Sequence, residues 1–189
     1  MNKISDTALL VMDVQEGIVE RLGEAAAAMI RPISSAIDAA RAAGLPVIYV
    51  VVGFRKGFPE TSPDNKSFSA LKQNAAAMPG LEEPIAVHAS VAPQPGEIVV
   101  TKRRVSAFTG SDLEVVLRSQ SIRRLVLTGF STSGVVLSTV REAADKDYRL
   151  TVLSDGCGDM DGEVHRVLLE KVFPRQADVL TVKEWVASL

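Results

Sequence analysis

The chain has 189 residues, a length typical of one domain, with 47% apolar and 23% charged residues, as in ordinary globular proteins. A net charge of −2 gives no basic stripe, so we expect neither nucleic acid nor an anionic membrane surface as a partner. No apolar run approaches the roughly 18 residues of a membrane span, and the first ten residues lack a signal-peptide pattern. A single cysteine, Cys157, cannot form an internal disulfide, which favours a cytoplasmic protein.

The amino-terminal part of the chain reads as strand, helix and strand. Residues 7–12 form a continuous apolar run, typical of a buried strand, and Asp13 follows its carboxyl end. Open α/β sheets place their ligand chemistry at that end of a strand. Apolar residues at helical spacing predict an amphipathic helix from about 23 to 43, with a break or kink near Pro32. Residues 46–52 are the second predicted strand.

Residues 53–96 are punctuated by glycines and prolines and show little sustained periodicity. A segment of this length in a compact domain usually serves a function, such as a lid or a binding wall. Two interpretations stay open at this point: its aromatic and basic side chains cover a pocket, or the segment packs on a partner subunit. The side chains concerned are Phe54, Arg55, Lys56, Phe58 and Phe68.

The carboxyl-terminal half is arranged around residues 125–155. An apolar run at 125–127 predicts a buried strand, small polar residues at 131–134 are typical of a helix start, and a helix runs from Val135. The next strand is predicted at 149–153. The tight turn places backbone N–H groups at a helix N-terminus, a position that suits a negatively charged reaction centre.

The remaining elements continue the same alternation. We predict strands at 97–101 and 177–181 and helices at 112–120, 161–172 and 183–189. Alternating strands and helices predict one α/β domain over residues 1–189, with a mainly parallel sheet covered by helices on both faces.

Three strand ends carry residues that suit chemistry: Asp13, Lys102 and the turn before Val135. In a parallel sheet these ends share one edge. An Asp beside a Lys is a usable acid–base pair, because the cation favours the carboxylate while burial raises its pKa. The alternatives are a capping hydrogen bond for Asp13 and a solvated charge run for Lys102 with Arg103 and Arg104.

Four segments together resemble the isochorismatase-like hydrolases, relatives of nicotinamidase and N-carbamoylsarcosine amidase. They are ALLVMDVQEG at 8–17, VVTKRRVSAF at 99–108, LVLTGFSTSGVVLSTVREAADKDY at 125–148 and LSDGCGDMDGEVH at 153–165. The resemblance implies a three-layer α/β/α sandwich with a six-stranded parallel sheet of order 3-2-1-4-5-6, and a homodimer or larger oligomer. It places strands one and four side by side, at a point where ligands bind.

The resemblance also implies a catalytic triad of Asp, Lys and Cys in the amidase members. Asp13 and Lys102 match the first two, but Val135 stands at the cysteine position, so the covalent amidase mechanism has no nucleophile there. Isochorismatases also lack the cysteine, with a residue smaller than Val135 at that position, and hydrolyse a vinyl ether by proton transfer from the Asp. The resemblance further implies a cis peptide bond between Phe130 and Ser131.

Oxyanion or substrate contacts are expected from the residues around this turn, with capping as the alternative role for its hydroxyl groups. These residues are Phe130, Ser131, Thr132, Ser133, Gly134, Gln15 and Phe108. The Asp and two His that bind metal in nicotinamidases have no match after the second strand, so we expect no metal and no cofactor. His88 and His165 are interpreted as a loop residue and a helix-face residue.

Three hypotheses follow for function. The favoured one is a hydrolase of a small metabolite that uses Asp13 and Lys102 without covalent catalysis. The second is a binding protein that keeps the fold and has lost the nucleophile. The third is an amidase that uses Cys157, which is predicted just after the strand at 149–153.

Overall fold

The computed structural model describes residues 6–75, 81–82 and 85–189. Its centre is a six-stranded sheet in which every pair of neighbouring strands is parallel, with the order β3-β2-β1-β4-β5-β6. The strand order expected from the resemblance is therefore confirmed. The strands are β1 (Thr7–Met12), β2 (Val47–Val52), β3 (Ile98–Lys102), β4 (Arg124–Phe130), β5 (Arg149–Gly158) and β6 (Asp178–Leu180).

Helices follow the strands and cover the sheet, as the alternating pattern predicted. A π-helical turn, Thr132–Val136, leads into α5, and a second one, Leu168–Val172, follows α6. Within the described residues no helix is long and apolar enough to cross a membrane. The α-helices are α1 (Glu16–Leu22), α2 (Glu24–Ala42), α3 (Lys66–Gln73), α4 (Leu113–Ser119), α5 (Leu137–Asp145), α6 (Gly162–Val167) and α7 (Val182–Ala187).

The continuous apolar strands fill two cores, one on each face of the sheet. Alternate residues of β1 point to opposite faces, so Leu10 belongs to one core and Leu9 to the other, and neither has exposed surface. Each fully buried leucine of this kind contributes about 1.5–3 kcal/mol to the free energy of unfolding. The two cores fix the sheet, and with it the positions of the strand ends.

The predicted break of the helix at Pro32 is wrong. The helix α2 continues through Pro32, and the interruption falls at Gly23, which separates α1 from α2 with a φ of 51°. Glycine adopts this left-handed conformation without the steric cost of a side chain. Ile33, directly after the proline, is fully buried in the core, so packing holds the helix across the hydrogen bond that proline cannot make.

Part of the segment 53–96 has a small hydrophobic core of its own. Phe54 stacks on Phe58 with ring centroids 5.0 Å apart and meets the edge of Phe68 at 5.8 Å. Phe68 lies on α3, whose first turn is capped by the side chain of Asn65. These three aromatic rings are buried against one another, which is how this segment holds its shape beside the ends of β2 and β3.

Strand β5 is longer than predicted and ends at Gly158 rather than near residue 153. Cys157 consequently lies inside the strand, where it pairs with Gly129 of β4, and the expectation that it follows the strand is wrong. The register between β4 and β5 shifts after Leu127. Ser154 and Asp155 are polar and interrupt the hydrophobic pattern, so the pattern did not indicate that the strand continues past them.

Candidate active site

Asp13 and Lys102 come from distant parts of the chain and meet at one edge of the sheet. Asp13 directly follows β1 and Lys102 ends β3, the two neighbours of β2. The Lys102 Nζ atom lies 3.0 Å from Oδ2 of Asp13, and the two side chains are 3% and 9% exposed. The structure therefore contains a buried ion pair where the sequence predicted an acid–base pair.

The second carboxylate oxygen of Asp13 is buried and has no hydrogen-bond partner among the described residues. Burial raises the pKa of Asp13 above its ordinary value, while the Lys102 ammonium and the Val52 amide act in the opposite direction. A carboxyl group with a raised pKa and one unpartnered oxygen suits proton donation.

Lys102 is not part of a solvated charge run, so that alternative is wrong for this side chain. Its ammonium group is buried and also donates a hydrogen bond to the backbone oxygen of Arg104 at 2.9 Å. The next two cations turn toward the segment 53–75: Arg103 donates to the backbone oxygen of Gly53, and Arg104 donates to that of Glu60 at 2.9 Å.

Gln15 connects the ends of β1 and β2. Its side-chain amide donates to the Val52 oxygen at 3.0 Å and accepts from the Val52 nitrogen at 2.7 Å. The residue is 2% exposed, so this pair of hydrogen bonds satisfies buried backbone groups of Val52 that strand pairing does not reach. The predicted substrate contact of Gln15 remains a prediction, whereas its link to Val52 was missed because no local pattern encodes it.

Gly129 allows β4 to approach β1 closely at the site. Its φ is 136°, and a Cβ atom there would lie 2.1 Å from the backbone oxygen of Met12. No side chain fits in that space. The residue fixes the distance between the end of β1, which carries Asp13, and the turn that follows β4.

The turn after β4 begins with a cis peptide bond between Phe130 and Ser131, as the resemblance implied. The Ser131 hydroxyl accepts a hydrogen bond from the Gly134 nitrogen at 3.0 Å and caps the π-helical turn. The Ser133 nitrogen donates to a carboxylate oxygen of Asp159 at 2.7 Å. Asp159 is a partner of the turn that sequence reasoning missed, since it lies 26 residues away.

Thr132 and His165 form a second polar pair on the β5 side of this turn. The Thr132 hydroxyl lies 2.9 Å from the backbone oxygen of Gly158 and 2.8 Å from Nδ1 of His165. A hydroxyl has one proton to donate, so donation to Gly158 requires that His165 carry its proton on Nδ1. Burial lowers the pKa of His165, and the nearby Asp159 carboxylate opposes that shift. Neutral His165 thus serves as a donor to Thr132.

Val135 and Phe108 belong to the hydrophobic core on one face of the sheet. Val135 is 2% exposed, and its side chain offers no atom that can attack a carbonyl carbon. The Phe108 ring packs against Tyr148 with centroids 5.9 Å apart and lies under the Lys146 ammonium at 5.6 Å. The predicted substrate contact of Phe108 remains a prediction.

Cys157 is buried, and its Sγ atom lies 3.8 Å from the backbone oxygen of Leu127. Burial raises its pKa to about 12, with the backbone of Gly129 acting in the opposite direction and Asp155 adding to the rise. A thiol of this kind is almost entirely protonated at neutral pH and is a weak nucleophile.

No three His, Cys, Asp or Glu side chains in the described ranges are grouped as a metal site requires. His165 is engaged with Thr132, and Asp13 with Lys102. The polar groups at this edge of the sheet are arranged in pairs rather than as a ligand shell.

Comparison with known proteins gives a consistent result. The family model "Isochorismatase domain" matches residues 7–184. The ureidoacrylate amidohydrolase RutB of Stutzerimonas stutzeri (strain A1501) is 33% identical over 99% of this chain and 81% of its own length. The uncharacterized isochorismatase family protein YecD of Escherichia coli O157:H7 is 34% identical over 97% of this chain and 96% of its own length.

Among solved structures, the cysteine hydrolase from Pseudomonas syringae pv. phaseolicola 1448A superposes with a TM-score of 0.88. It shares 26% sequence identity and covers 98% of this chain and 92% of its own. Because the family model matches nearly the whole chain, and a relative above 30% identity spans it, this chain belongs to the isochorismatase family.

Proposed function

We propose that this isochorismatase-family hydrolase acts on a small metabolite through acid–base chemistry of Asp13 and Lys102, without a covalent intermediate. The observation that carries the proposal is the buried oxygen of Asp13 that has no partner among the described residues, beside the ion pair with Lys102. Such a carboxyl group can hold a proton and deliver it to a bound substrate, while the ammonium group balances the charge that is left.

A vinyl ether is the substrate type that this arrangement supports best. Asp13 transfers its proton to the vinyl carbon, and the resulting oxocarbenium ion is captured by water. The water loses a proton to the Asp13 carboxylate, which restores the acid. The hemiketal hydroxyl then becomes a carbonyl group as the bond to the leaving group breaks, and its proton passes to the departing oxygen, so that a ketone and an alcohol are released. No side-chain nucleophile takes part, in keeping with valine at position 135.

The experiment is turnover of isochorismate-type vinyl ethers by the purified chain. Asp13→Asn is expected to lower kcat by about 10²–10⁴-fold, because amide nitrogen and oxygen cannot supply the proton. Asp64→Asn is the matched control, since Asp64 is exposed and its carboxylate is not part of the buried ion pair. Full activity of Asp13→Asn would contradict the proposal.

The second candidate is a binding protein without turnover, and the observation that favours it is again Val135. A relative is named an amidohydrolase, and the resemblance assigns the nucleophile of amidases to this position. We would then expect no ureidoacrylate hydrolysis by the natural chain and measurable hydrolysis by Val135→Cys. That result would support the view that the protein has lost its nucleophile. Ligand binding without turnover of any vinyl ether would favour the second candidate over the first.

An amidase that uses Cys157 has the least support. The thiol is buried, its pKa is about 12, and it faces a backbone oxygen. Residual amidase activity that alkylation of the thiol abolishes would revive this hypothesis. For the whole protein we propose a single domain over residues 1–189 that forms a homodimer or homotetramer in the cytoplasm, as the family resemblance and the buried free thiol suggest.

A further inference from the structure

A cavity of about 500 Å³ lies at the amino-terminal edge of the sheet, opposite the edge that carries Asp13 and Lys102. Its volume is within the range of small-molecule sites, roughly 300–1,000 Å³. The six residues of β1 separate the two edges by about 20 Å, at roughly 3.3 Å per residue, so this cavity is distinct from the candidate active site. The residues that line it are Asp6, Arg118, Arg123, Asp147, Tyr148 and Arg149.

Backbone hydrogen bonds join the starts of three neighbouring strands at this cavity. The Arg123 nitrogen donates to the Asp6 oxygen at 2.8 Å, and the Arg149 nitrogen donates to the Arg123 oxygen at 2.9 Å. Asp6 precedes β1, Arg123 precedes β4 and Arg149 begins β5. Since these strands are neighbours in the sheet, the backbone that carries Arg123 and Arg149 is held in place on one wall of the cavity.

Two cations at the cavity carry charges that nothing in the described part of the chain neutralises. The side chains of Arg123 and Arg149 form no hydrogen bond or ion pair with any residue in 6–75, 81–82 or 85–189. The Asp6 carboxylate lies 3.3 Å from Nε of Arg124, a cation that does not line the cavity, and within the same ranges Asp147 forms no ion pair. An anionic ligand would find two unengaged guanidinium groups here.

The third guanidinium group, that of Arg118, adds to the positive charge. The carboxylate that it contacts, that of Glu114 at 3.6 Å, is shared with Lys146, whose Nζ atom lies closer at 2.6 Å. Arg118 also donates to the backbone oxygen of Lys146 at 3.3 Å and lies over the Tyr148 ring, 4.8 Å from its centre. These contacts fix the position of Arg118 and leave much of its charge unbalanced.

The Tyr148 hydroxyl is an unused hydrogen-bonding group in the wall of the same cavity. The residue is 5% exposed, and its hydroxyl oxygen is buried without a hydrogen-bond partner among the described residues. Burial raises the pKa of Tyr148, so the hydroxyl keeps its proton at neutral pH and can donate it. A buried polar group without a partner costs free energy, which a ligand oxygen that accepts this proton would recover.

We propose that this cavity binds the phosphate group of a small phosphorylated sugar or polyol, at a site separate from the active centre. The phosphate lies between Arg123 and Arg149, because guanidinium groups present a planar fork of donors that matches phosphate oxygens. The Tyr148 hydroxyl donates to the same phosphate. The cavity is larger than a phosphate ion, and the Asp147 carboxylate accepts a hydrogen bond from a hydroxyl group of the ligand. This inference does not depend on the acid–base function proposed above.

The test is calorimetry on the purified full chain with ribose 5-phosphate, inorganic phosphate and ribose. We expect ribose 5-phosphate to bind with a Kd of about 1 mM or lower, inorganic phosphate to bind at least about threefold more weakly, and ribose not to bind. High salt should weaken the binding, because it screens exposed charges. No binding of ribose 5-phosphate, or equal binding of ribose, would overturn the proposal. Equal affinities of the two phosphates would overturn the assignment to a sugar or polyol, since free phosphate would then suffice.

The arginine variants locate the binding. Arg123→Gln and Arg149→Gln should each weaken ribose 5-phosphate binding by about tenfold, because each removes a charge-assisted contact. Both side chains are exposed, and urea unfolding should show that the variants keep the fold. Arg31→Gln is the matched control, since it removes an exposed arginine of α2 that does not line the cavity, and it should leave the affinity unchanged. An equal loss in Arg31→Gln would overturn the proposal, because it would show attraction by net charge alone.

Tyr148→Phe tests the hydroxyl separately. It removes one oxygen and keeps the ring beneath Arg118, so ribose 5-phosphate binding should weaken by about threefold to tenfold. Unchanged affinity would contradict the role of the hydroxyl, and if the variant does not fold, the arginine variants decide. Failure of this site appears as lost discrimination among the three probes, whereas failure of the acid–base function appears as turnover that survives in Asp13→Asn.

Discussion

Two polar regions lie on either side of the turn 131–135, and they satisfy their polar groups very differently. The Asp13 side, made of Asp13 and Lys102, holds two buried charges and a carboxylate oxygen that lacks a partner in the part of the chain that the structure describes. The Thr132 side, made of Thr132, Gly158 and His165, is a chain of hydrogen bonds that joins the Gly158 oxygen, the Thr132 hydroxyl and Nδ1 of His165.

The difference separates a region built for structure from one suited to chemistry. Neutral groups that satisfy one another hold a loop at little cost, whereas an unpartnered buried carboxylate oxygen costs free energy unless a ligand uses it. We infer that the Thr132 side positions the turn and that the Asp13 side meets the substrate. Variants on each side should therefore differ in how strongly they change the free energy of unfolding.

Asp13 and Lys102 should be strongly coupled in their effects on the free energy of unfolding. Lys102→Met or Asp13→Asn alone should each lower the free energy of unfolding by about 3–5 kcal/mol, because each leaves one buried charge unpaired. The double variant Asp13→Asn/Lys102→Met should recover most of this loss or exceed the natural chain. Urea unfolding of all four proteins at pH 7 gives the coupling, and simple addition of the two losses would contradict a buried pair.

On the Thr132 side we expect a moderate loss in the free energy of unfolding, which a second substitution does not recover. Thr132→Val keeps the shape but leaves the Gly158 oxygen and the His165 Nδ1 proton unpaired, so the free energy of unfolding should fall by about 1–3 kcal/mol. Thr109→Val is the control, because the Thr109 hydroxyl bonds to Glu142 at an exposed position. Equal losses in the two variants would show that burial of the Thr132 hydroxyl contributes nothing.

A smaller, pH-dependent effect is expected from His165. Burial lowers its pKa in the folded chain below the ordinary value of 6.5, so the unfolded chain binds the proton more readily. The contribution of neutral His165 is therefore complete above about pH 6.5 and is lost as the pH falls through the lowered pKa. Unfolding followed from pH 8 to 5 should show this slope in the natural chain.

His165→Asn should remove that slope, because asparagine can still donate to Thr132 but does not titrate. His88→Asn, which removes the other imidazole, should leave the slope of unfolding free energy against pH unchanged. A slope that persists unchanged in His165→Asn would assign the pH dependence to another group.

The smallest effect on activity is expected from alkylation of Cys157. With a pKa of about 12 rather than 9.0, its thiolate fraction at pH 8 is roughly a thousandfold lower than that of a free thiol. Iodoacetamide should leave the folded chain unmodified and fully active over hours, and should label it quickly in urea. Rapid labelling of the folded chain with loss of activity would place Cys157 in the reaction.

Much of this architecture was predictable from local pattern. Continuous apolar runs, helical periodicity and small residues at turns depend on neighbours in sequence, and they located the strands, α2, α4 and the turn before Val135. Because these patterns depend only on neighbours in sequence, they also explain why the position of the helix interruption was predicted incorrectly. Gly23 and Pro32 each break helices in isolation, and packing of α2 against the sheet decided that Gly23 did so here.

The amino-acid sequence specifies which chemical groups this protein has: a carboxylate and an ammonium at strand ends, valine where amidase relatives are expected to carry a thiol, and a small-residue turn. Tertiary structure alone decided their environment. Asp13 and Lys102 lie far apart in sequence and form a pair at 3.0 Å, and Thr132 likewise contacts the distant His165. Cys157 is buried by parts of the chain that are not its sequence neighbours. Desolvation and hydrogen bonding depend on what surrounds a group in space, and these set its pKa and reactivity.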